Sequence, residues 1–472
     1  MHHIHDIETM REHRQVLIAE AENARLARQL KQVRRNSGKA HSGRMQLRAV
    51  LLLFTIGLAL LFAVSAAKPV PADTTFTVTS TSDSSNGACD AVCTLREAIT
   101  AANNTPGRDT INFRLSNTGE ARTILPTSPL PEITETVTID GYSQLGSSVN
   151  TLDKGTNAVL RVELDGSLAG ADASGLNVGE AASNVVVRGL VINRFDFAGV
   201  EIRGSGTKVE GNFIGTDPSG TLDRGIGDFG GVLVKSNSNT IGGASHGRRN
   251  LISGNGDGVN LNPGAEGNKV QGNLIGTQKD GTSPLGNDFS GVVVIGGERN
   301  LIGGTRPGEA NTIAFNSGNG VEVSFDVTGN RVSANSIFSN GGLGIDLEGG
   351  TENAQGATRN DPGDTDTGPN NLQNKPVLTS AVTSGGTTIS GRLDSTATDP
   401  FVVEFYSNPS GGNEGKKIIG TRAVSTNASG SVTFTFTPSQ AVPTGQTVTA
   451  TATNSVSGDT SEFSAPRKVV AQ

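Results

Sequence analysis

Two nearly identical stretches, GNFIGTDPSGT at 211–221 and GNLIGTQKDGT at 272–282, decide how this chain folds. They begin 272 − 211 = 61 residues apart. The glycine, isoleucine and threonine positions agree between the two copies, whereas Asp217 of the first corresponds to Gln278 of the second. Because the turn-forming residues repeat and the acidic residue does not, we interpret the repeat as scaffolding that encodes shape.

A shorter pattern of glycine, apolar, any and apolar residue surrounds these copies. It begins at Gly175, Gly199, Gly231, Gly258, Gly291, Gly320 and Gly344, at intervals of 24 to 33 residues. Further strand starts carry asparagine, at Asn239, Asn250, Asn268, Asn300, Asn311 and Asn330. Asparagine tolerates left-handed corners and can hydrogen-bond to its equivalent one rung away, so we interpret these residues as ladders. The pattern predicts a solenoid of stacked rungs, and the 61-residue repeat is two rungs.

Composition favours the same architecture. The chain has 472 residues with 63 glycines, no tryptophan and 4% aromatic residues, which indicates an all-β fold with a narrow interior. Its net charge is −7, and the part after Lys68 has no basic face for nucleic acid. His246 is the only histidine in that part, which excludes chemistry that needs two histidines there.

An export signal precedes this body. Residues 49–67 form an apolar run of 19 residues after a basic region, which is typical of a transmembrane or signal-peptide segment. Its small residues at the end fit signal-peptide cleavage as well as membrane anchoring, so we expect a cell-envelope protein with an extracytoplasmic body. Residues 1–48 are either a basic helical cytoplasmic segment or an artefact of start-codon choice, with Met45 as the true start.

The sequence also predicts a lid for the solenoid. Thr94 and Glu97 have the spacing of a helix capping box. An apolar stripe follows at Leu95, Ala98, Ile99 and Ala102. We expect this helix to cover the first rung, since a β-helix must be closed at both ends. Cys89 and Cys93 lie just before it in an exported region, and we expect a disulfide between them.

The chain resembles two groups of proteins. Over about 109–350 it resembles the right-handed parallel β-helix proteins of the pectate lyase-like superfamily. The segment CTLREAITAANN at 93–104 resembles the CSLREA domain of bacterial surface proteins, with Thr94 in place of the serine. GGLGIDLEGG at 341–350 and the segment from Asn360 resemble the end of the helix in those proteins. The resemblance implies a cap at 75–108, a right-handed parallel β-helix at 109–374 and an immunoglobulin-like β-sandwich at 375–472.

Two columns of side chains are predicted to point outward from the repeated strands, one residue per rung. The first is Glu201, Leu233, Asn260, Val293, Glu322 and Asp346, and the second is Arg203, Lys235, Asn262, Ile295, Ser324 and Glu348. Glu322 and Asp346 are then adjacent carboxylates and the candidate catalytic residues. Such a pair fits bound Ca²⁺, a retaining glycosidase, or a solvated acidic face with the side chains splayed apart.

A second acidic group follows in NDPGDTDTG. Asp361, Asp364 and Asp366, together with Glu348, are candidate calcium ligands, and a linker rich in Asx turns is the alternative. The Gly-His-Gly and Arg-Ile-Lys motifs of polygalacturonase-like β-helices are absent. A lyase would need a base, and Arg203 and Lys235 lie three or more rungs from Glu322.

These features favour a displayed β-helix protein without catalytic activity, which acts in adhesion or binds a polysaccharide or cell-surface glycan. The first alternative is a calcium-dependent polysaccharide lyase or glycoside hydrolase. The second is a purely structural surface stalk. No cofactor beyond calcium is indicated, and residues 49–67 would attach the protein to the membrane if they are not cleaved.

Overall fold

The computed structural model describes residues 73–116, 119–227 and 229–472. The segments predicted at 1–48 and 49–67 lie outside these ranges. Within the described ranges no helix is long and apolar enough to span a membrane.

Three parallel sheets run along the chain from residue 75 to residue 347. Sheet A comprises Thr75–Val78, Asp109–Phe113, Val137–Asp140, Val186–Arg188, Lys208–Glu210, Thr240–Gly242, Lys269–Gln271, Leu301–Gly303 and Arg331–Ser333. Sheet B comprises Arg122–Ile124, Val162–Asp165, Val191–Asn193, Phe213–Ile214, Leu251–Ile252, Leu274–Ile275, Thr312–Ala314 and Ser336–Phe338. Sheet C comprises Leu176–Val178, Val200–Ile202, Val232–Val234, Val259–Leu261, Val292–Ile295, Val321–Ser324 and Ile345–Leu347.

The rungs stack as the sequence predicted, which confirms the parallel β-helix. Every neighbouring pair within the three sheets is parallel, and the interior is filled by valine, isoleucine and leucine. The glycine that precedes each sheet C strand is required by close packing. A Cβ on Gly199 would lie 2.5 Å from the carbonyl oxygen of Gly231 on the next rung. This contact explains why glycine, and no larger residue, opens the repeated pattern.

Asparagine ladders hold the corners. Asn250 donates to Asn273 at 2.9 Å, and Asn273 donates to Asn311 at 3.0 Å. Two further ladders run through Asn239, Asn268, Asn300, Asn330 and Asn370, and through Asn255, Asn287, Asn316 and Asn340. The predicted structural role of the asparagines is therefore confirmed. Between the corners, the repeats at 211–221 and 272–282 make excursions closed by the bridges Thr216–Asp223 and Thr277–Pro284.

The predicted lid is helix α1, Leu95–Asn103. Thr94 and Glu97 form both hydrogen bonds of the capping box, and the predicted apolar stripe is buried against the first strands. Sheet A begins before the lid, because Thr75–Val78 pairs with Asp109–Phe113. Cys89 and Cys93 are joined by a disulfide with an S–S distance of 2.04 Å.

The C-terminal part is a β-sandwich of two four-stranded sheets. One sheet comprises Val377–Thr383, Thr387–Asp394, Ser431–Phe436 and Val470–Ala471, and the other comprises Pro400–Asn408, Lys417–Ser425, Thr447–Asn454 and Arg467–Lys468. Short 3₁₀ turns lie at Gly141–Ser143, Gly166–Leu168, His246–Arg248 and Pro369–Leu372.

The sandwich closes the end of the β-helix, a role that the sequence analysis did not assign to it. Tyr406 and Phe463 of the sandwich belong to the same buried apolar cluster as the helix interior. Buried carboxylates of the sandwich accept from the last rung of each sheet. Glu404 accepts from Ala334 after sheet A, Glu414 from Asn340 after sheet B, and Glu462 from Leu347 in sheet C. These backbone N–H groups would otherwise need a further rung as their hydrogen-bond partner, and the sandwich carboxylates take its place.

Candidate functional site

The outward column of sheet C is continuous. Its register runs Asn177, Glu201, Leu233, Asn260, Val293, Glu322 and Asp346, each paired with the next. The structure therefore confirms the first predicted column, and it also pairs Ile295 with Ser324 in the second. Because strands lie about 4.8 Å apart, the column presents side chains at regular steps along the helix axis.

One amide joins the two candidate catalytic carboxylates. The Nδ2 of Asn319 lies 2.8 Å from Oδ2 of Asp346 and 3.4 Å from Oε2 of Glu322. The two carboxylate oxygens are therefore no further apart than the sum of these distances, about 6.2 Å. Asn319 is itself fixed, because its Oδ1 accepts the backbone N–H of Leu343 at 2.8 Å.

Hydroxyl groups hold Glu322. Ser290 donates to Oε2 at 2.8 Å and Ser324 donates to Oε1 at 3.3 Å. Glu322 is 6% exposed, so the alternative of a solvated acidic face does not describe this residue. Glu348, by contrast, is exposed. A buried carboxylate needs such donors, since burial without them is costly.

Asp346 has the properties of an acid. Burial, followed by the negative charges of Glu462 and Glu322, raises its pKa to about 7, and the hydrogen bond from Asn319 opposes this shift. Near neutral pH a substantial fraction of Asp346 is thus protonated. A carboxylic acid close to a second carboxylate is the arrangement that glycosidases use.

Two asparagines in the middle of sheet C, Asn260 of the first column and Asn262 of the second, have unpaired amide atoms. Asn260 and Asn262 are 2% and 1% exposed. Oδ1 of Asn260 and both polar side-chain atoms of Asn262 are buried without a hydrogen-bond partner. Nδ2 of Asn260 makes a long contact of 3.5 Å with Asp257. Unsatisfied buried polar atoms are uncommon and costly, so this part of sheet C has capacity for further hydrogen bonds.

An aromatic rim borders the column. Phe197, Phe229 and Phe289 each lie two residues before the glycine that opens a sheet C strand. The rings of Phe197 and Phe229 are 4.5 Å apart, and Lys235 lies 5.6 Å from the ring centroid of Phe197. Sequence reasoning missed this rim. The recurring spacing of phenylalanine, any residue and glycine is the signal that indicates it.

The basic residues of the second column are engaged at the opposite end. Arg203 contacts Glu132 at 2.7 Å, and Lys235 contacts Glu201 at 3.4 Å. Lys235 is three rungs from Glu322, as the sequence analysis expected. The structure therefore keeps these candidate lyase bases away from the carboxylate pair.

The predicted calcium ligands come together only in part. Asp361, Asp364 and Asp366 place carboxylate oxygens within 4.8 Å of one another, and Glu348 is not in this group. Oδ1 of Asp361 and Oδ1 of Asp366 are buried without a hydrogen-bond partner. These two oxygens fit a hard cation.

The carboxylate of Asp364 already accepts hydrogen bonds from other residues of the protein. It accepts from Ser395, from Nε2 of Gln373 at 2.6 Å and from the backbone of Asn374 at 2.8 Å. Burial raises its pKa to about 6, and the charges of Asp361 and Asp366 add to the increase. Asp364 therefore ties the linker to the sandwich, whether or not a cation binds beside it.

No protein-family model matches this chain, and no curated protein matches it. Among solved structures it is similar to full-length tailspike protein 2 from Escherichia coli O157:H7 bacteriophage CAB120, at 12% identity and a TM-score of 0.17, over 76% of this chain and 59% of that one. It is also similar to the enzymatically active domain of bacteriophage CBA120 tailspike protein 2, at 12% identity and a TM-score of 0.17, over 76% and 66%. The chain thus spans less than two thirds of either protein. At such TM-scores neither likeness bears on function.

Proposed function

We propose that this protein binds a linear polysaccharide along the outer face of sheet C. The observation that carries the proposal is the set of unpaired amide atoms on Asn260 and Asn262 in the middle of sheet C; both side chains are buried, so a glycan would reach them only after the residues that cover them move aside. Hydroxyl groups of a glycan both donate and accept, so they match an amide that lacks both kinds of partner. Hydrogen bonds from a glycan to these atoms would remove the free-energy cost of burying them unpaired in the free protein.

The surroundings of the two asparagines suit a sugar chain. Phe197 and Phe289, which are partly exposed, lie just before sheet C strands and offer aromatic faces against which sugar rings can pack, whereas Phe229 is buried against Phe197. Ligand sites combine an apolar lining with a few placed polar groups, and this face has both.

We also propose the setting. The CTLREA segment and the preceding apolar run favour an envelope-displayed protein similar to the CSLREA surface proteins, either anchored or secreted. The disulfide beside the lid suits an oxidising compartment. In that location a glycan-binding face would serve adhesion.

Glycoside hydrolysis is the second candidate function, and the bridge made by Asn319 favours it. Asp346, with its pKa near 7, would protonate the glycosidic oxygen, and Glu322 would attack or stabilise the sugar. The separation of at most about 6.2 Å is below the range of about 6.5–9.5 Å for inverting enzymes and includes the range of about 5–5.5 Å for retaining ones.

The test uses the full chain with a panel of uronate and neutral polysaccharides, with Ca²⁺ and with chelator. Both retention of intact polymer and new reducing or unsaturated ends are measured. We expect retention without cleavage, weakened by Asn262→Ala and unchanged by Asp346→Asn. Cleavage that Asp346→Asn abolishes would establish the hydrolase instead, and unsaturated products that require Ca²⁺ would establish a lyase. No retention on any polymer would contradict both functions and leave the structural stalk.

A further inference from the structure

A cleft lies on the outer face of sheet B, away from the column of sheet C. The outward residues of sheet B run Phe213, Leu251, Leu274, Thr312 and Ser336 in register. The first three are buried in an apolar cluster with Leu160 and Val191, packed against Tyr142 and Ala158. Beyond that cluster the column becomes polar, and Thr312 and Ser336 form part of the floor of a cleft of about 670 Å³.

The sandwich supplies one wall. Residues Lys416, Lys417 and Ile418 border the cleft, as do the loops that contain Lys154 and Asp280. The position is stable, because Ser336 donates to the carbonyl of Lys416 at 2.7 Å. Ligand sites commonly form between two packed parts of a protein, and their volumes are about 300–1,000 Å³.

Two aromatic rings form another wall. Phe315 and Phe338 meet edge to face with centroids 5.4 Å apart. Phe315 has a φ of +64, and the equivalent corner two rungs earlier is Gly254 with a φ of +77. A side chain in this left-handed conformation is disfavoured relative to glycine. The ring of Phe315 is therefore held in an unfavourable backbone conformation beside the cleft.

The cleft is cationic in an acidic protein. Lys154, Lys416 and Lys417 line it, and Lys416 Nζ lies 4.2 Å from the ring centroid of Phe338. The lining also contains two aspartates, each of which has a partner within the protein. Asp153 contacts His246 at 3.0 Å, and Asp280 accepts from Ser283 and Thr282. The lining thus contains three lysines against two aspartates, while the chain as a whole has a net charge of −7.

We propose that this cleft is a second binding site, which takes a saccharide unit that carries a carboxylate. The lysines would bind the carboxylate, the face of the sugar ring would pack on Phe315, and Thr312 and Ser336 would hydrogen-bond to its hydroxyls. Charge distinguishes the sugar classes here, because a ligand carboxylate would balance the excess of lysines over aspartates in the lining and a neutral sugar would not. This site is separate from the outer face of sheet C, so it would add a second glycan-binding site to the proposed function.

The test is calorimetric titration of the full chain with a galacturonate trisaccharide and with a neutral glucose trisaccharide, at low and high salt. The Asn262→Ala background is used so that sheet C does not contribute. We expect binding of the galacturonate only, weakened by salt. The double variant Lys416→Ala/Lys417→Ala should lose about tenfold in affinity. Lys468→Ala, which removes an exposed lysine elsewhere on the sandwich, is the matched control and should bind as the parent does.

Phe315→Gly separates binding from folding. Glycine suits the φ of this corner, so the variant should be as stable as the parent or more stable. Its galacturonate affinity should nevertheless fall by about tenfold. A galacturonate affinity equal to the parent's in Phe315→Gly or in the double lysine variant would overturn the inference, as would equal binding of the neutral trisaccharide or no binding of either. The sheet C site remains testable separately, because Lys416, Lys417 and Phe315 are not part of it and Asn262 is retained in the chain used for that test.

Discussion

Glu404 of the sandwich accepts the backbone N–H of Ala334, at the end of sheet A, at 2.8 Å. The same carboxylate accepts from Ser333 at 2.5 Å and from Tyr406 at 2.5 Å. The sandwich is therefore bonded to the last rung through buried contacts. This relationship makes the stability of the β-helix depend on a residue about seventy positions further along the chain.

We predict that Glu404→Ala lowers the free energy of unfolding by about 3 kcal/mol, because three buried donors lose their acceptor. Denaturant titration of the full chain measures this change. Glu180→Ala, which removes an exposed glutamate of the β-helix, is the control and should change it by less than about 0.5 kcal/mol. Equal stability of the two variants would show that the sandwich does not cap the helix.

The asparagine ladder gives a second prediction. Asn273 donates to Ile241 and Asn311 and accepts from Asn250, so Asn273→Ala breaks bonds to two rungs. We expect a loss of about 2 to 4 kcal/mol, since buried partners are left unsatisfied. Thermal unfolding measures it, with the exposed Asn413→Ala as a control that should be neutral. A neutral Asn273→Ala would mean that the ladder does not stabilise the corner.

The raised pKa of Asp346 predicts a dependence of stability on pH. The folded state holds a proton up to about pH 7, whereas the unfolded carboxyl loses it near its ordinary pKa of 3.8. The contribution of Asp346 to the free energy of unfolding is therefore greatest below about pH 4. It falls as the pH rises from about 4 to about 7, and it is constant above pH 7. Asp346→Asn should remove this loss, so that the variant exceeds the parent by about 1 to 2 kcal/mol at pH 8 and matches it at pH 4.

Urea titrations of the parent and the variant across this pH range make the comparison. Glu180→Gln, at an exposed position, should leave the pH dependence unchanged. A difference between parent and Asp346→Asn that is the same at pH 4 and pH 8 would contradict the raised pKa.

Calcium at the aspartate cluster is tested by melting temperature. The two unpaired oxygens of Asp361 and Asp366 are the atoms that a cation would satisfy. We predict that millimolar Ca²⁺ raises the melting temperature and that chelator reverses the effect. Asp366→Asn should abolish the increase, whereas the exposed Asp172→Asn should retain it. If Ca²⁺ still raised the melting temperature of Asp366→Asn, calcium would bind at a site other than the aspartate cluster.

The features of the fold that recur in every rung could be predicted from the sequence. Glycine before each sheet C strand and asparagine at each corner recur because every rung needs the same close approach and the same hydrogen bond, so the register of Glu322 and Asp346 followed from spacing alone. The lid followed from local chemistry, since a capping box involves residues only three positions apart.

Contacts that do not repeat left no such pattern. Glu404 meets Ala334 across the end of the helix, and no periodicity connects these two positions. The burial of the side chains in the column could not be predicted from the sequence. The alternation of residues along a strand predicts which face a side chain points to, but not whether other residues cover that face. Asn260 and Asn262 were therefore expected among outward residues, while their unpaired buried amides were not foreseen.

The most direct measurement is the affinity and stability of Asn262→Ala, in the full chain, with whichever polysaccharide the parent retains most strongly. We predict about tenfold weaker binding together with a free energy of unfolding that is unchanged or about 1 kcal/mol higher, because the amide has no partner in the free protein. Asn413→Ala should match the parent in both measurements. Unchanged binding by Asn262→Ala, or a loss that merely follows a loss of stability, would contradict a glycan site on sheet C.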